Sequence, residues 1–206
     1  MISAREALER LKEGNRRFVS GEKNKSNLTN RERRMELLKG QEPFAVVLGC
    51  SDSRVPVELI FDQGLGDLFV IRVAGNIAES SQVGTIEFAA ERLGARLVVV
   101  LGHTRCGAVR ATLEIVDGPT GELSRNLRTI IDKLRPSVTE LPVTETGDEL
   151  DKLVDEVVRN NIHNTVIHLR EESHILDEMV QRDELLIVGA EYSLETGIVD
   201  FFDGLP

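Results

Sequence analysis

The chain has 206 residues, of which 41% are hydrophobic and 29% charged, a composition typical of globular proteins and too apolar for an intrinsically disordered one. Its formal net charge of -10 would repel phosphate backbones and anionic lipid surfaces, so we expect no nucleic-acid partner and no membrane association. The charged N-terminus lacks the apolar core of a secretory signal, and no segment reaches the ~20 apolar residues of a membrane helix, which favours a cytoplasmic location.

The first forty residues predict two helices separated by a polar loop. Ser3 with Glu6, and Thr29 with Glu32, have the capping-box spacing, in which the side chains at the N-cap and N3 positions satisfy free backbone amides. We therefore expect helices to begin at these two places. Residues 1–40 would form a helical arm on a single domain that comprises the whole chain, 1–206.

Short apolar runs alternate with amphipathic segments along the rest of the chain. The runs 44–49, 68–73, 97–102 and 184–192 predict buried strands, and helical periodicity occurs over 80–94, over 106–116 and from about Asp148 to Arg182. This alternation indicates an α/β fold with a mainly parallel sheet of about four strands and flanking helices. The run 197–202 follows its predecessor too closely for a crossover, so we expect an antiparallel edge strand there.

Both cysteines of the chain stand beside a predicted strand end or helix start, which can place them at one edge of this sheet. Cys50 and His103 each come directly after a strand-ending glycine, and Cys106 lies near the start of the next helix. Ligands gather at the carboxyl ends of parallel strands, so these side chains would meet if the two strands are neighbours. Cysteine and histidine are zinc ligands, and three of them leave one position for water, as in catalytic sites. Taken singly, each residue is as readily explained as a small core residue or a helix cap.

The segments GCSDSR (49–54) and GHTRCGAV (102–109) together resemble the two signature motifs of the β-class carbonic anhydrases. The resemblance extends through FDQGLGDLFVIRVAGN and VGAEYSLETGIVDF, so it covers most of the chain. In that family the first cysteine, the histidine and the second cysteine bind zinc. The resemblance therefore implies a Zn²⁺ cofactor held by Cys50, His103 and Cys106.

The resemblance also implies a second subunit. The family combines a mainly parallel sheet with an antiparallel edge strand and an N-terminal helical arm that embraces a partner, and we expect a homodimer or homotetramer. The first predicted helix has an apolar stripe that we expect to make this contact, formed by Ala4, Ala7, Leu8 and Leu11. The alternative is that this stripe packs against its own chain.

The implied activity is the reversible hydration of carbon dioxide to bicarbonate and a proton by a zinc-bound hydroxide, because zinc lowers the pKa of a bound water towards ~7. Asp52 and Arg54 match the family's catalytic dyad. In the family the aspartate orients the hydroxide when it is paired with the arginine, and it closes the site when it takes the fourth zinc position. Without the neighbouring ligands, SDSR would indicate only a polar turn with a surface ion pair.

By resemblance, five residues contribute to the carbon dioxide and bicarbonate pocket. Gln41 supplies a side-chain donor, and Phe69, Ala74 and Phe88 form apolar walls, partly across a dimer interface. Gly107 lets the backbone approach at a helix start, where free N–H groups favour anions. For Phe69 and Phe88, packing in the core is the alternative interpretation.

Two other functions stay open at this stage. A hydrolase of carbonyl sulfide or carbon disulfide on the same scaffold would keep the same ligands and dyad. A non-catalytic zinc scaffold is disfavoured by Asp52 and Arg54, because a structural zinc needs no dyad.

One branch of the family has a noncatalytic bicarbonate pocket, marked by a tryptophan three residues before the first zinc cysteine. In this chain Val47 occupies that position. We therefore expect the open arrangement, in which Arg54 holds Asp52 and the fourth zinc position is left for water.

Overall fold

Five strands form one central sheet in the computed structural model, which describes residues 2–22, 30–117, 123–139 and 147–205. The strands are β1 (Ala45–Gly49), β2 (Leu68–Arg72), β3 (Leu97–His103), β4 (Leu186–Tyr192) and β5 (Val199–Asp203). The helices are α1 (Ala4–Ser20), α2 (Arg31–Glu36), α3 (Val57–Ile60), α4 (Ser80–Arg92), α5 (Gly107–Asp117), α6 (Arg125–Leu134), α7 (Asp148–Glu172) and α8 (His174–Gln181). None of the helices within these ranges combines the length and apolarity needed to cross a bilayer.

The sheet has the strand order β2-β1-β3-β4-β5. The first four strands are parallel, and β5 pairs antiparallel with β4. The predicted α/β fold with four parallel strands and an antiparallel edge is thus confirmed. β1 and β3 are neighbours, with Gly49 opposite Leu101, so the residues that follow β1 lie beside the end of β3. This pairing brings two widely separated parts of the sequence to one edge of the sheet.

Helices cover both faces of the sheet, and every residue of β1 and β3 is therefore buried. One face packs against α4, α5 and α7, and the other packs against α1 and α3. The close approach of α7 depends on glycine. A Cβ atom at Gly102 would lie 2.6 Å from Cδ1 of Ile162, and one at Gly189 would lie 2.6 Å from Cγ2 of the same side chain. These two positions therefore let α7 lie directly over β3 and β4.

The long helix expected from about Asp148 to Arg182 is interrupted. The structure has two helices, α7 and α8, separated at Ser173. The Ser173 hydroxyl accepts a hydrogen bond from the Leu176 backbone N–H at 3.1 Å and donates one to Glu87 on α4 at 2.6 Å. Serine is a favoured N-cap residue, and its side chain here starts a new helix while binding a neighbouring one.

Helix α1 begins as its capping box predicts. The Ser3 side chain accepts from the Glu6 backbone N–H at 3.3 Å, and the Glu6 carboxylate accepts from the Ser3 backbone N–H at 2.8 Å. The second predicted cap, Thr29, lies outside the described residues. In the described part, the Asn30 side chain caps α2 by accepting from the Arg33 backbone N–H at 2.8 Å.

The apolar stripe of α1 packs against its own chain. Ala7 and Leu11 are fully buried beside the sheet, and Leu8 is nearly so. Asn15 fixes the helix further, since its amide donates to the carbonyl of Gly197 at 2.9 Å and its carbonyl accepts from the N–H of Val199 at 2.9 Å. The expectation that Ala7, Leu8 and Leu11 contact a second subunit is therefore wrong, whereas Ala4 is only half-buried by its own chain. The sequence pattern identified an apolar stripe but not the surface that covers it.

Candidate metal centre

Three potential metal ligands meet at the carboxyl end of the sheet. Cys50 directly follows β1, His103 is the last residue of β3, and Cys106 directly precedes α5. All three are buried, and their ligand atoms lie within 4.8 Å of one another. The pairing of β1 with β3 and the short turn at Thr104 and Arg105 produce this cluster. The structure thus brings together the three residues that the sequence indicated.

The hydrogen bonding of His103 leaves one ring nitrogen for a metal. Its Nδ1 lies 2.9 Å from the Thr104 carbonyl oxygen, so this nitrogen carries the proton and donates. Its Nε2 is buried and has no hydrogen-bond partner within the described residues. An unsatisfied buried acceptor is costly, and ligation to a cation would satisfy it. One imidazole nitrogen and two sulfurs form a donor set that fits zinc.

The two thiols titrate as a pair because they share a buried site. The pKa of Cys50 is lowered, chiefly by its interaction with the neighbouring Cys106 thiol, although burial acts in the opposite direction. The pKa of Cys106 is raised by that same interaction with Cys50 and by burial. Burial alone would lower the pKa of His103, but the negative charge of Cys50 beside it raises that pKa. The site therefore concentrates negative charge on sulfur, which favours a dication.

Asp52 and Arg54 form a bidentate ion pair at the edge of this cluster. Arg54 Nε donates to Oδ1 at 2.9 Å and its Nη2 donates to Oδ2 at 2.7 Å. These hydrogen bonds hold the pKa of Asp52 well below its usual range, so the carboxylate stays ionised. Asp52 Oδ2 also lies 3.8 Å from Nε2 of His103. The carboxylate thus borders the metal ligands while it is held by Arg54.

Two residues outside the predicted metal site and dyad hold the segment around Cys50. Arg72 donates to the carbonyl oxygen of Cys50 at 3.0 Å and to that of Asp52 at 2.6 Å. The backbone N–H of Gly75 donates to Sγ of Cys50 at 3.4 Å. Gly75 has a φ of 68°, a conformation that glycine adopts without strain. The glycine in RVAGN was a local signal for such a turn, whereas nothing near Arg72 pointed to its backbone partners.

The expected substrate-pocket residues fall into two groups. Ala74 adjoins Gly75, whose amide contacts Cys50, and Gly107 adjoins Cys106, so both lie beside the metal ligands. Gln41 is exposed and lies before the amino end of β1, whereas Cys50 follows its carboxyl end; the two ends of this five-residue strand are roughly 13 Å apart.

Phe69 and Phe88 also lie away from the metal ligands of their own chain. Phe69 pairs with Val46 near the amino end of β2, and its ring centroid is 6.3 Å from that of Phe88. Phe88 is 50% exposed, so packing in the core does not account for it. Within one chain, then, Gln41, Phe69 and Phe88 do not line the metal centre.

The fold and the site together define an α/β enzyme with a cysteine–histidine centre at the carboxyl edge of a parallel sheet. The family model for carbonic anhydrases matches residues 45–199. The chain therefore belongs to the β-carbonic anhydrase family.

Relatives of known identity match most of the chain. It is 41% identical to carbonic anhydrase 2 of Mycobacterium tuberculosis over 187 residues, which cover 91% of this chain and 87% of the relative. It is also 41% identical to the carbonic anhydrase of Mycolicibacterium smegmatis over 191 residues, covering 92% and 89% of the two chains.

Solved structures share the fold. The β-carbonic anhydrase CafA of Aspergillus fumigatus has a TM-score of 0.69 at 26% identity, covering 85% of this chain and 84% of its own. The β-carbonic anhydrase CcaA has a TM-score of 0.71 at 28% identity, covering 96% and 95%. The similarity thus spans the sheet and its flanking helices.

Proposed function

We propose that the protein catalyses the zinc-dependent, reversible hydration of carbon dioxide to bicarbonate and a proton. The observation that carries this proposal is the buried Cys50–His103–Cys106 cluster with the Asp52–Arg54 pair at its edge. The carbonic anhydrases that are 41% identical to the chain support the same substrate. Because both ligand thiols must stay reduced, we also propose a cytoplasmic location.

Zinc held by the two sulfurs and by Nε2 of His103 would act as a Lewis acid that makes hydroxide available near neutral pH. The chain itself supplies the orientation. Asp52 remains an ionised acceptor, because both of its oxygens bind Arg54. It can therefore accept a hydrogen bond from the attacking oxygen and fix the direction of its lone pair. The N–H groups at the start of α5, beside Gly107, favour the developing negative charge of bicarbonate.

A stopped-flow assay with a pH indicator tests this function directly. Zinc-replete protein is expected to hydrate carbon dioxide far faster than buffer, to lose that activity when a chelator removes the metal, and to regain it on addition of zinc. Carbonyl sulfide and carbon disulfide serve as competing substrates. Zinc-loaded protein that hydrates carbon dioxide at the buffer rate, or that turns over either sulfur compound faster, would overturn the proposal.

We further propose that the working unit is a homodimer, alone or as half of a tetramer, formed at the β2 side of the sheet. β2 is an edge strand of the described sheet, and its central residues are only partly buried. An open, apolar edge strand invites pairing with another chain. The exposed ring of Phe88, packed on Phe69, extends this surface. A partner at this edge would also supply the pocket residues that one chain leaves away from its own metal centre.

Phe88→Lys is expected to shift the protein from dimer to monomer and to lower its activity, because a buried lysine at the contact would be unpaired. Light scattering at assay concentration measures the mass. Ile198→Lys is the matched control, since Ile198 is also 50% exposed but precedes β5 at the opposite edge of the sheet. A fully active wild-type monomer, or equal effects of the two substitutions, would contradict this arrangement.

A further inference from the structure

Helix α7 contacts the turn that joins two of the metal ligands. The backbone N–H of Arg105, between His103 and Cys106, donates to Oδ1 of Asp155 at 2.7 Å. The contact is possible because α7 lies directly over β3 at Gly102, the residue before His103. A carboxylate from α7 thus holds the peptide that leads into Cys106.

Arg105 needs such a partner because of its backbone conformation. Its φ is 54°, in the left-handed region that residues with a Cβ rarely occupy. A hydrogen bond from its N–H to a fixed acceptor favours this conformation, and the conformation determines where the following Cys106 sulfur lies. The carbonyl oxygen of Arg105 accepts from Nη2 of Arg54 at 3.4 Å, so the same turn also contacts the Asp52–Arg54 pair.

A second residue of α7 contacts the segment beside the other cysteine. Asn161 is buried, with 3% of its surface exposed, and its Nδ2 donates to the carbonyl oxygen of Gly75 at 2.9 Å. The N–H of Gly75 in turn donates to Sγ of Cys50. The amide of Asn161 therefore fixes the residue that hydrogen-bonds the thiolate.

We propose that Asp155 and Asn161 are positioning residues of the metal centre, one for each cysteine: Asp155 holds the Arg105 turn that places Cys106, and Asn161 holds Gly75 against Cys50. This inference rests on the proposed zinc site. It makes α7 the common support of both thiolates, although neither residue is a ligand itself. Partners of this kind adjust the orientation and charge of metal ligands.

The test measures the zinc dissociation constant by competition with a chromogenic chelator. Asp155→Ala and Asn161→Ala are each expected to weaken zinc binding by about 10–100-fold, the usual cost of losing such a partner. Asp155→Asn keeps an acceptor oxygen and should bind zinc nearly as wild type does. Glu156→Ala, which removes an exposed carboxylate from the same turn, and Asn160→Ala, which removes an amide bound to the Ser137 carbonyl, are the matched controls.

Two further measurements separate positioning from general loss of stability. In cobalt-substituted protein, the sulfur-to-cobalt charge-transfer band should weaken or shift in Asp155→Ala and in Asn161→Ala but not in the controls. Adding Arg105→Gly to Asp155→Ala should restore part of the zinc affinity, because glycine adopts the left-handed conformation without help and keeps the carbonyl that binds Arg54.

The outcomes distinguish the positioning role from the proposed function. If wild type binds zinc tightly and the two alanine variants bind it equally well with unchanged cobalt spectra, the positioning role is wrong. The same holds if affinity falls as much in the control variants. If wild-type protein binds no zinc, the proposed function is wrong. The positioning role is then wrong as well, because it presupposes the zinc site.

Discussion

Cys106→Ser is expected to lose most of its zinc and to reduce the rate of carbon dioxide hydration by more than about 100-fold. Loss of a partner that only supports a ligand already costs about 10–100-fold in metal affinity, and loss of a ligand should exceed that. A neutral hydroxyl is a poor replacement for the thiolate that binds the metal. Zinc content by mass spectrometry and stopped-flow rates give the two readouts.

The control for this substitution is Val116→Ser, which adds a hydroxyl at an exposed position of the same helix. It should keep one zinc per chain and wild-type turnover. Full zinc occupancy and normal rates in Cys106→Ser would show that the metal is held elsewhere. Free alkylation of both thiols in zinc-loaded wild type would lead to the same conclusion.

Arg54→Ala is expected to keep its zinc and lose turnover by about two orders of magnitude, the usual size of a lost proton-transfer or orienting group. Arg54 makes both side-chain hydrogen bonds to the Asp52 carboxylate, which lies 3.8 Å from Nε2 of His103. Without Arg54, the carboxylate is free to turn towards the ligand cluster and block the position of the attacking oxygen. Asp52→Asn should also keep the metal and lose much of its activity, because the ionised acceptor is gone.

Arg54→Lys separates charge from geometry in this pair. Lysine keeps the positive charge but lacks the planar fork that binds both carboxylate oxygens, so its activity should lie between those of wild type and Arg54→Ala. Zinc content, measured for each variant, should be equal in all of them. A wild-type hydration rate in Arg54→Ala or Asp52→Asn would show that the pair has no part in turnover.

The sheet was predictable because its strands are short apolar runs with helical segments between them. The predicted and observed strand limits differ by at most two residues; β3, for example, ends at His103 and not at the preceding glycine. The break at Ser173 was missed, since the apolar periodicity continues across it. The packing of α1 was predicted wrongly for a different reason: burial of Leu11 depends on a surface formed by distant strands, which its own sequence does not describe.

The metal ligands were predictable because each has a local signal: Cys50 and His103 follow a glycine at the end of a strand, and Cys106 stands at the start of a helix. The residues that hold these ligands in place had no such local signal in the sequence. Arg72 and Asn161 act on the backbone of residues far away in sequence, and almost any residue type offers the same backbone atoms. Asp155 looks, in sequence, like one more acidic residue on the solvated side of a helix. Only the crossing of α7 over β3 gives it a function.

The order of residues at this centre has a consequence for the synthesis of the protein. Its ligands and proposed supports run from Cys50 to Asn161, and the β1–β3 pairing that joins the ligands is itself non-local. Contacts of such long sequence separation form late in folding, because the chain between them must first be ordered. A nascent chain therefore exposes both thiols until α7 has left the ribosome and docked. The complete set of three ligands therefore exists only after β1 and β3 have paired, so metal loading is expected after the sheet has formed.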